Sequence, residues 1–237
     1  MGMPTVRRPR KQFLVSLFLL FAVSLLGWRL APWQMALWLE PGVTPLSTRP
    51  DDGERIDPRT LVYQDSEVLR EHLAQYEFAK KYSQEHNFHS VADIASGTCY
   101  GMEILKQVVP VVDGYDKLDL CGNYVIDLDK EDWNRKYDAI VSFETVEHLA
   151  NPGFFLANAA RSAPVLILST PVNEGPGNHF HLQHWSNEEF QKLLESYYTC
   201  EYLHRVGDAY ELAYVGGVDF FAVCTRREGN VTATAGD

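Results

Sequence analysis

Basic residues are scarce beyond the first thirty positions of this 237-residue chain. It holds 21 Lys+Arg against 32 Asp+Glu, and five of the cations (Arg7, Arg8, Arg10, Lys11, Arg29) lie in residues 1–30, which contain no acid. Residues 31–237 are left with 16 Lys+Arg against all 32 acids. Binding nucleic acid rests on cations that displace phosphate counterions, so a domain this acidic disfavours a nucleic-acid partner. Cysteine is also sparse: Cys99, Cys121, Cys200 and Cys224 are far apart and form no CxxC. The spacing supports neither a zinc site nor a dense disulfide framework, and favours isolated thiols in or near a core. No internal repeat or low-complexity tract is present. A composition of 46% hydrophobic and 22% charged residues excludes a disordered chain. Nothing in the sequence points to a protein partner.

The longest uncharged run is FLVSLFLLFAVSLLGW, residues 13–28, followed after Arg29 by LAPWQMALWL. Sixteen apolar residues with a flanking Lys11 and Arg29 that can snorkel just reach the length of a membrane-spanning helix. The run has no polar face, which argues against a buried soluble helix. It lacks a small-x-small site after Leu26, which favours an uncleaved anchor over a signal peptide. The expected organisation is a basic tail (1–12), a single-pass membrane anchor with an interfacial segment (13–39), a linker (40–60), one globular domain (61–226) and a polar tail (227–237). The basic cluster at 7–11 should stay cytoplasmic, placing the domain across the membrane, whereas a shallow hairpin after Pro32 would return it; the side stays open. Asn230-Val-Thr232 is a glycosylation sequon that matters only in a secretory lumen.

From residue 61, short apolar runs alternate with helical patterns. The runs are 90–95, 110–115, 123–128, 137–143, 164–169, 199–206 and 218–224, and the helical stretches are 66–83, 100–108, 152–162 and 187–196. Such alternation predicts a mostly parallel sheet of seven strands with helices on both faces, which binds ligands beyond the carboxyl ends of its strands. The first strand runs into Asp93-Ile-Ala-Ser-Gly-Thr-Cys-Tyr-Gly101, where glycine allows a close backbone turn at a helix N-terminus. The second ends at Asp116, about the 20-residue offset at which a carboxylate meets ribose hydroxyls.

These motifs in this order resemble the class I S-adenosylmethionine-dependent methyltransferases, over about residues 66–225. VADIASGTCYG is similar to the family's first motif, hhDhGxGxG, and YDAIVSFETVEHLANPGFFLANAARSAPVLILSTPVN to its fourth strand, following helix and fifth strand. The resemblance implies a Rossmann-like fold with S-adenosylmethionine as cofactor. It implies Asp93, Ala95, Gly97 and Gly101 under the methionine part, Asp116 on the ribose, Asp127 and the Leu128 backbone at the adenine, and Phe143 and Glu144 on the floor. Two departures stand out. Ala95 and Cys99 replace motif glycines, and only seven residues separate Asp116 from Tyr124, where the family usually inserts a helix. Seven residues reach about 23 Å, enough to return along a short strand, so that helix is expected to be missing.

Glu144, Glu147 and His148 form ExxEH, which on a helix would share one face. The later His181, before Trp185-Ser186, completes a set that resembles metal-assisted O-methyltransferases, the ubiquinone-pathway and Hen-type small-RNA enzymes among them. Glu144, Glu147, His148 and His181 are thus candidate ligands for Mg2+ or Mn2+. A metal-free role for His148 or His181 as general base, and a purely structural one, remain open alternatives. For His179 and His184 a surface-loop reading is favoured, and for Tyr76 and Phe78 core packing is favoured over closing on the cofactor.

The expected activity is membrane-anchored methyl transfer to an oxygen of a small or lipid-like acceptor. Two rivals are a degenerate domain serving as a membrane-tethered interaction module, and a nicotinamide dehydrogenase, the latter disfavoured because GxGxxG is absent.

Overall fold

The computed structural model describes residues 55–59, 66–175, 177–206, 209–212 and 219–227. No helix among them is long and apolar enough to cross a membrane, and the expected anchor at 13–39 lies outside them.

Helix α1 (Glu67–Glu85) starts where the Ser66 hydroxyl accepts the Leu69 N–H at 3.1 Å, and lays Leu69, Tyr76, Ala79 and Ser83 inward. Strand β1 (Ser90–Ile94) leads to α2 (Tyr100–Leu105) and β2 (Val111–Asp116). Then come β3 (Tyr124–Val125), β4 (Ala139–Ser142), α3 (Pro152–Ser162), β5 (Val165–Pro171) and α4 (Asn187–Glu195). The chain closes with β6 (Tyr198–Val206), β7 (Ala209–Leu212) and β8 (Asp219–Arg226). Asn151 caps α3, with Pro152 pre-set for its first turn, and α4 opens on a capping box between Ser186 and Glu189.

The sheet order is β3-β2-β1-β4-β5-β8-β6-β7. The pairings from β3 to β5 are parallel, while β5–β8, β8–β6 and β6–β7 are antiparallel. The sheet is mostly parallel as expected, with β7 and β8 running against the other strands, and the expected count of seven is corrected to eight. Each of the seven apolar runs overlaps a strand; the eighth, β7, folds back on β6 with Val206 opposite Ala209.

Alternation along the central strands divides the core between the two faces. Ile94, Ile140, Leu166, Leu168 and Phe220 pack with Phe155 and Leu156 of α3 and Phe190 and Leu194 of α4. Val91, Val141, Ile167, Phe221 and Val223 pack with Tyr76 and Ala79 of α1 and Leu105 of α2. Both faces of these strands are covered, which is why they read as near-continuous apolar runs. Phe78 belongs to the second face, against Tyr82, Tyr210 and Phe221.

Between β2 and β3 there is no helix, as the seven-residue gap required. The cysteines depart from expectation: Cys99 is bonded to Cys121 and Cys200 to Cys224, leaving no free thiol. Linear spacing hid both pairs. Cys200 and Cys224 become direct neighbours only through the β6–β8 register, and Cys99 meets Cys121 because β1 and β2 lie side by side.

Candidate active site

The loop after β1 holds a backbone that its sequence alone does not explain. Ala95, Gly97 and Cys99 all adopt left-handed conformations, with φ of 62°, 51° and 69°. These are the three glycine positions of the motif, and the glycine geometry persists at Ala95 and Cys99 without glycine, at about 1 kcal/mol or more for each of those two side chains. The loop is fixed by Ser96 N–H donating to Tyr115 O at 2.9 Å and Gly97 N–H donating to Asp116 Oδ2 at 2.9 Å.

A cavity of about 740 Å³ opens at the carboxyl ends of the parallel strands. Of the residues expected to hold a cofactor, Ala95, Gly97, Asp116, Asp127, Leu128 and Phe143 line it, and so do Glu144, Glu147, His148 and His181 from the ExxEH end. Asp93 and Gly101 do not. Asp93 is fully buried behind Tyr76, whose hydroxyl donates to its two oxygens at 3.1 and 3.3 Å. Gly101 underlies the same ring, and a Cβ there would overlap it. Burial pushes the Asp93 carboxyl up to about 7, against the lowering effect of the Tyr76 hydrogen bond, and the Asp116 charge adds to the rise.

Arg55 is a cavity residue that sequence reasoning missed, because it lies in what reads as linker. Its Nη2 is 2.7 Å from Asp116 Oδ1, and the neighbouring Ile56 carbonyl accepts the Thr98 hydroxyl at 2.7 Å. Where the sequence resemblance places an adenine, Lys130 Nζ donates to Asp127 Oδ2 at 2.7 Å and holds that carboxyl below its usual range.

In sequence, the chain matches no protein-family model and none of the curated proteins. In three dimensions, it is similar to the small-RNA methyltransferase HEN1 (TM-score 0.52, 19% identity, 67% of this chain and 25% of that one). It is similar as well to an S-adenosylmethionine-dependent methyltransferase from Clostridium acetobutylicum (TM-score 0.52, 11% identity, 70% and 94%). Magnesium protoporphyrin IX methyltransferase from Synechocystis, solved with S-adenosylhomocysteine bound, gives 0.50 at 15% identity over 71% and 88%. The fold is that of the class I methyltransferases. The chain spans only a quarter of the length of HEN1.

At the far end of this methyltransferase fold, Glu147, His148 and His181 each bring one ligand atom within 4.8 Å of the others. Glu144 lines the cavity but is not in this group. The reason is local. The backbone turns left-handed at Glu144 (φ 47°) and only a 3-10 turn spans Val146–His148, so the helical face expected of ExxEH does not form. Buried Glu147 is held by the Thr170 hydroxyl, 2.9 Å from Oε2.

The two imidazoles have their tautomers set by their partners. His148 Nδ1 lies 3.1 Å from the Phe180 carbonyl and His181 Nδ1 lies 2.6 Å from Glu174 Oε2. A carbonyl and a carboxylate only accept, so Nδ1 carries a proton in both rings, which leaves Nε2 as the atom through which either ring could hold an ion or take a proton. His148 Nε2 is 3.6 Å from Glu147 Oε1, while His181 Nε2 accepts from the Asn178 amide at 2.9 Å. Two imidazoles and one carboxylate form a donor set that fits a divalent transition ion. His179 and His184 are exposed on the same loop, outside this group.

Proposed function

We propose that this chain is an S-adenosylmethionine-dependent methyltransferase that methylates an oxygen of a small or lipid-like acceptor. The observation that carries the reading is the division of one cavity. The left-handed loop and Asp116 line it as a nucleoside-type cradle, and the Glu147–His148–His181 group lines it as a site for activating a hydroxyl. Methyl transfer breaks the S–CH3 bond and forms O–CH3 in line, with the electron pair leaving on sulfur. The chain's own contribution is to hold the two reactants in line and, where no ion occupies the ring, to take the acceptor proton on a ring Nε2. A divalent ion held by Glu147, His148 and His181 would supply charge that lowers the acceptor's pKa. With two nitrogen donors and Glu144 outside the group, Mn2+ suits the set better than Mg2+, which prefers all-oxygen surroundings.

The reading is tested by calorimetric titration of the full-length chain with S-adenosylmethionine and with NADH, each with and without Mn2+. Binding of the first alone, weakened by Asp116→Ala, supports it. A folded chain that binds neither removes the enzyme reading and leaves the membrane-tethered interaction module.

We further infer that residues 13–39 anchor the chain and that the domain works on the oxidising side of that membrane. Three features support this: the basic cluster at 7–11, the Asn230 sequon, and the pairing of all four cysteines in disulfides. The cofactor must then be supplied on that side. Protease protection of the domain in sealed membranes, with a mass shift on deglycosylation, is the expected result; digestion of the domain from the cytoplasmic side overturns it.

A further inference from the structure

Asp93 occupies the acidic position of the first motif, yet it does not reach the cavity. It is fully buried, and between it and the cavity lies the phenol of Tyr76, contributed by α1. Three features hold the phenol there. Gly101 leaves the room that the ring fills. Tyr100 and Phe143 meet it edge to face, with centroids 5.4 and 4.9 Å away. Its hydroxyl donates to both carboxylate oxygens of Asp93.

A phenol has one hydrogen to give and lone pairs left to accept with. The Tyr76 hydrogen is committed to Asp93. Burial and the Asp93 charge raise the Tyr76 pKa well above its usual value, so the phenol keeps that hydrogen. The oxygen is therefore an acceptor, polarised by the carboxylate behind it. Tyr76, Tyr100 and Phe143 all line the cavity, and aromatic faces also favour a cation.

We propose that Tyr76 is the group that meets the ammonium of an α-amino-acid-bearing ligand in this cavity, with Asp93 acting through it as a positioning residue. The proposal rests on the cofactor reading above and sharpens it. The acidic motif residue does not touch the ligand; a tyrosine from α1 does, and Gly101 serves that tyrosine.

The test compares two ligands on the full-length chain by calorimetry. S-adenosylhomocysteine carries the amino-acid arm, and methylthioadenosine has the same nucleoside without it. Tyr76→Phe keeps the ring and removes the hydroxyl. It is expected to weaken S-adenosylhomocysteine roughly tenfold, as for a lost hydrogen bond to a charged group, and to leave methylthioadenosine within about twofold. Asp93→Asn, which keeps a hydrogen-bond partner for Tyr76 but removes the charge, is expected to show the same selectivity, and thermal melting checks that both variants fold. Equal losses for both ligands, or no loss, in a folded variant overturn the proposal and leave the cofactor reading standing. Equal affinity of the unmodified chain for the two ligands overturns it as well. If the unmodified chain binds neither ligand, both the proposal and the cofactor reading fail.

Discussion

Arg55 sits 61 positions before Asp116 in the chain and holds its Oδ1 at 2.7 Å, while Leu118 N–H donates to the same oxygen at 3.1 Å. With Gly97 N–H on Oδ2, both oxygens of the carboxylate expected to receive ribose hydroxyls already have partners. A ribose hydroxyl approaching Oδ1 would therefore compete with the arginine.

Arg55→Ala is accordingly expected to tighten S-adenosylhomocysteine binding on the order of threefold, the scale of a partly exposed ion pair. Calorimetry at two salt concentrations checks this. The unmodified chain should gain affinity with salt and the variant should not. Weaker binding in Arg55→Ala would mean that the guanidinium contacts the ligand instead.

The strained loop gives a second prediction. Ala95→Gly removes the left-handed penalty of about 1–2 kcal/mol and adds about 0.5–1 kcal/mol of unfolded-state entropy. A net stabilisation of roughly 0.5–1 kcal/mol should appear in denaturant titrations. A loss of stability would show that the Ala95 methyl is needed for packing.

Glu174 orients His181, and removing its charge should be felt by a metal. Glu174→Gln is expected to weaken Mn2+ binding by about tenfold or more, as for other carboxylates that orient a ligating histidine. Electron paramagnetic resonance of free Mn2+ measures this directly. His184→Ala, outside the group, should leave the affinity unchanged.

Asp93 makes stability depend on pH. Its folded pKa of about 7 lies above the ordinary carboxylate value of 3.8, so the folded state holds a proton that the unfolded state has lost between those limits. Stability contributed by this group is therefore present at low pH and falls as pH rises toward 7, by up to about 1.4 kcal/mol per pH unit. Asp93→Asn should flatten that slope, so that the two proteins diverge most in melting temperature above pH 7. Parallel curves would place the Asp93 pKa near its ordinary value.

Much of the fold was written locally. Ser66 and Asn151-Pro152 mark helix starts through side-chain and φ effects that need only a few neighbouring residues, and the seven-residue gap after Asp116 ruled out a helix by length. The cavity likewise collects Ala95, Gly97, Asp116, Phe143, Glu147, His148 and His181, which all lie at or after strand ends. The misses share a cause, in that each depends on a partner far along the chain. Cys200 finds Cys224 through sheet register, Arg55 finds Asp116 across 61 residues, and Tyr76 from α1 covers Asp93. The absence of Glu144 from the ligand group is different. It follows from a left-handed backbone at a non-glycine residue, for which sequence carries little signal.

The bond between Cys99 and Cys121 closes a ring of chain that includes α2, β2 and Asp116. An exposed stretch of that ring runs through Lys117, Asp119 and Cys121. A protease that nicks the backbone between Asp119 and Cys121 would cut a peptide bond without releasing a fragment. The two pieces would run as one band until the sample is reduced.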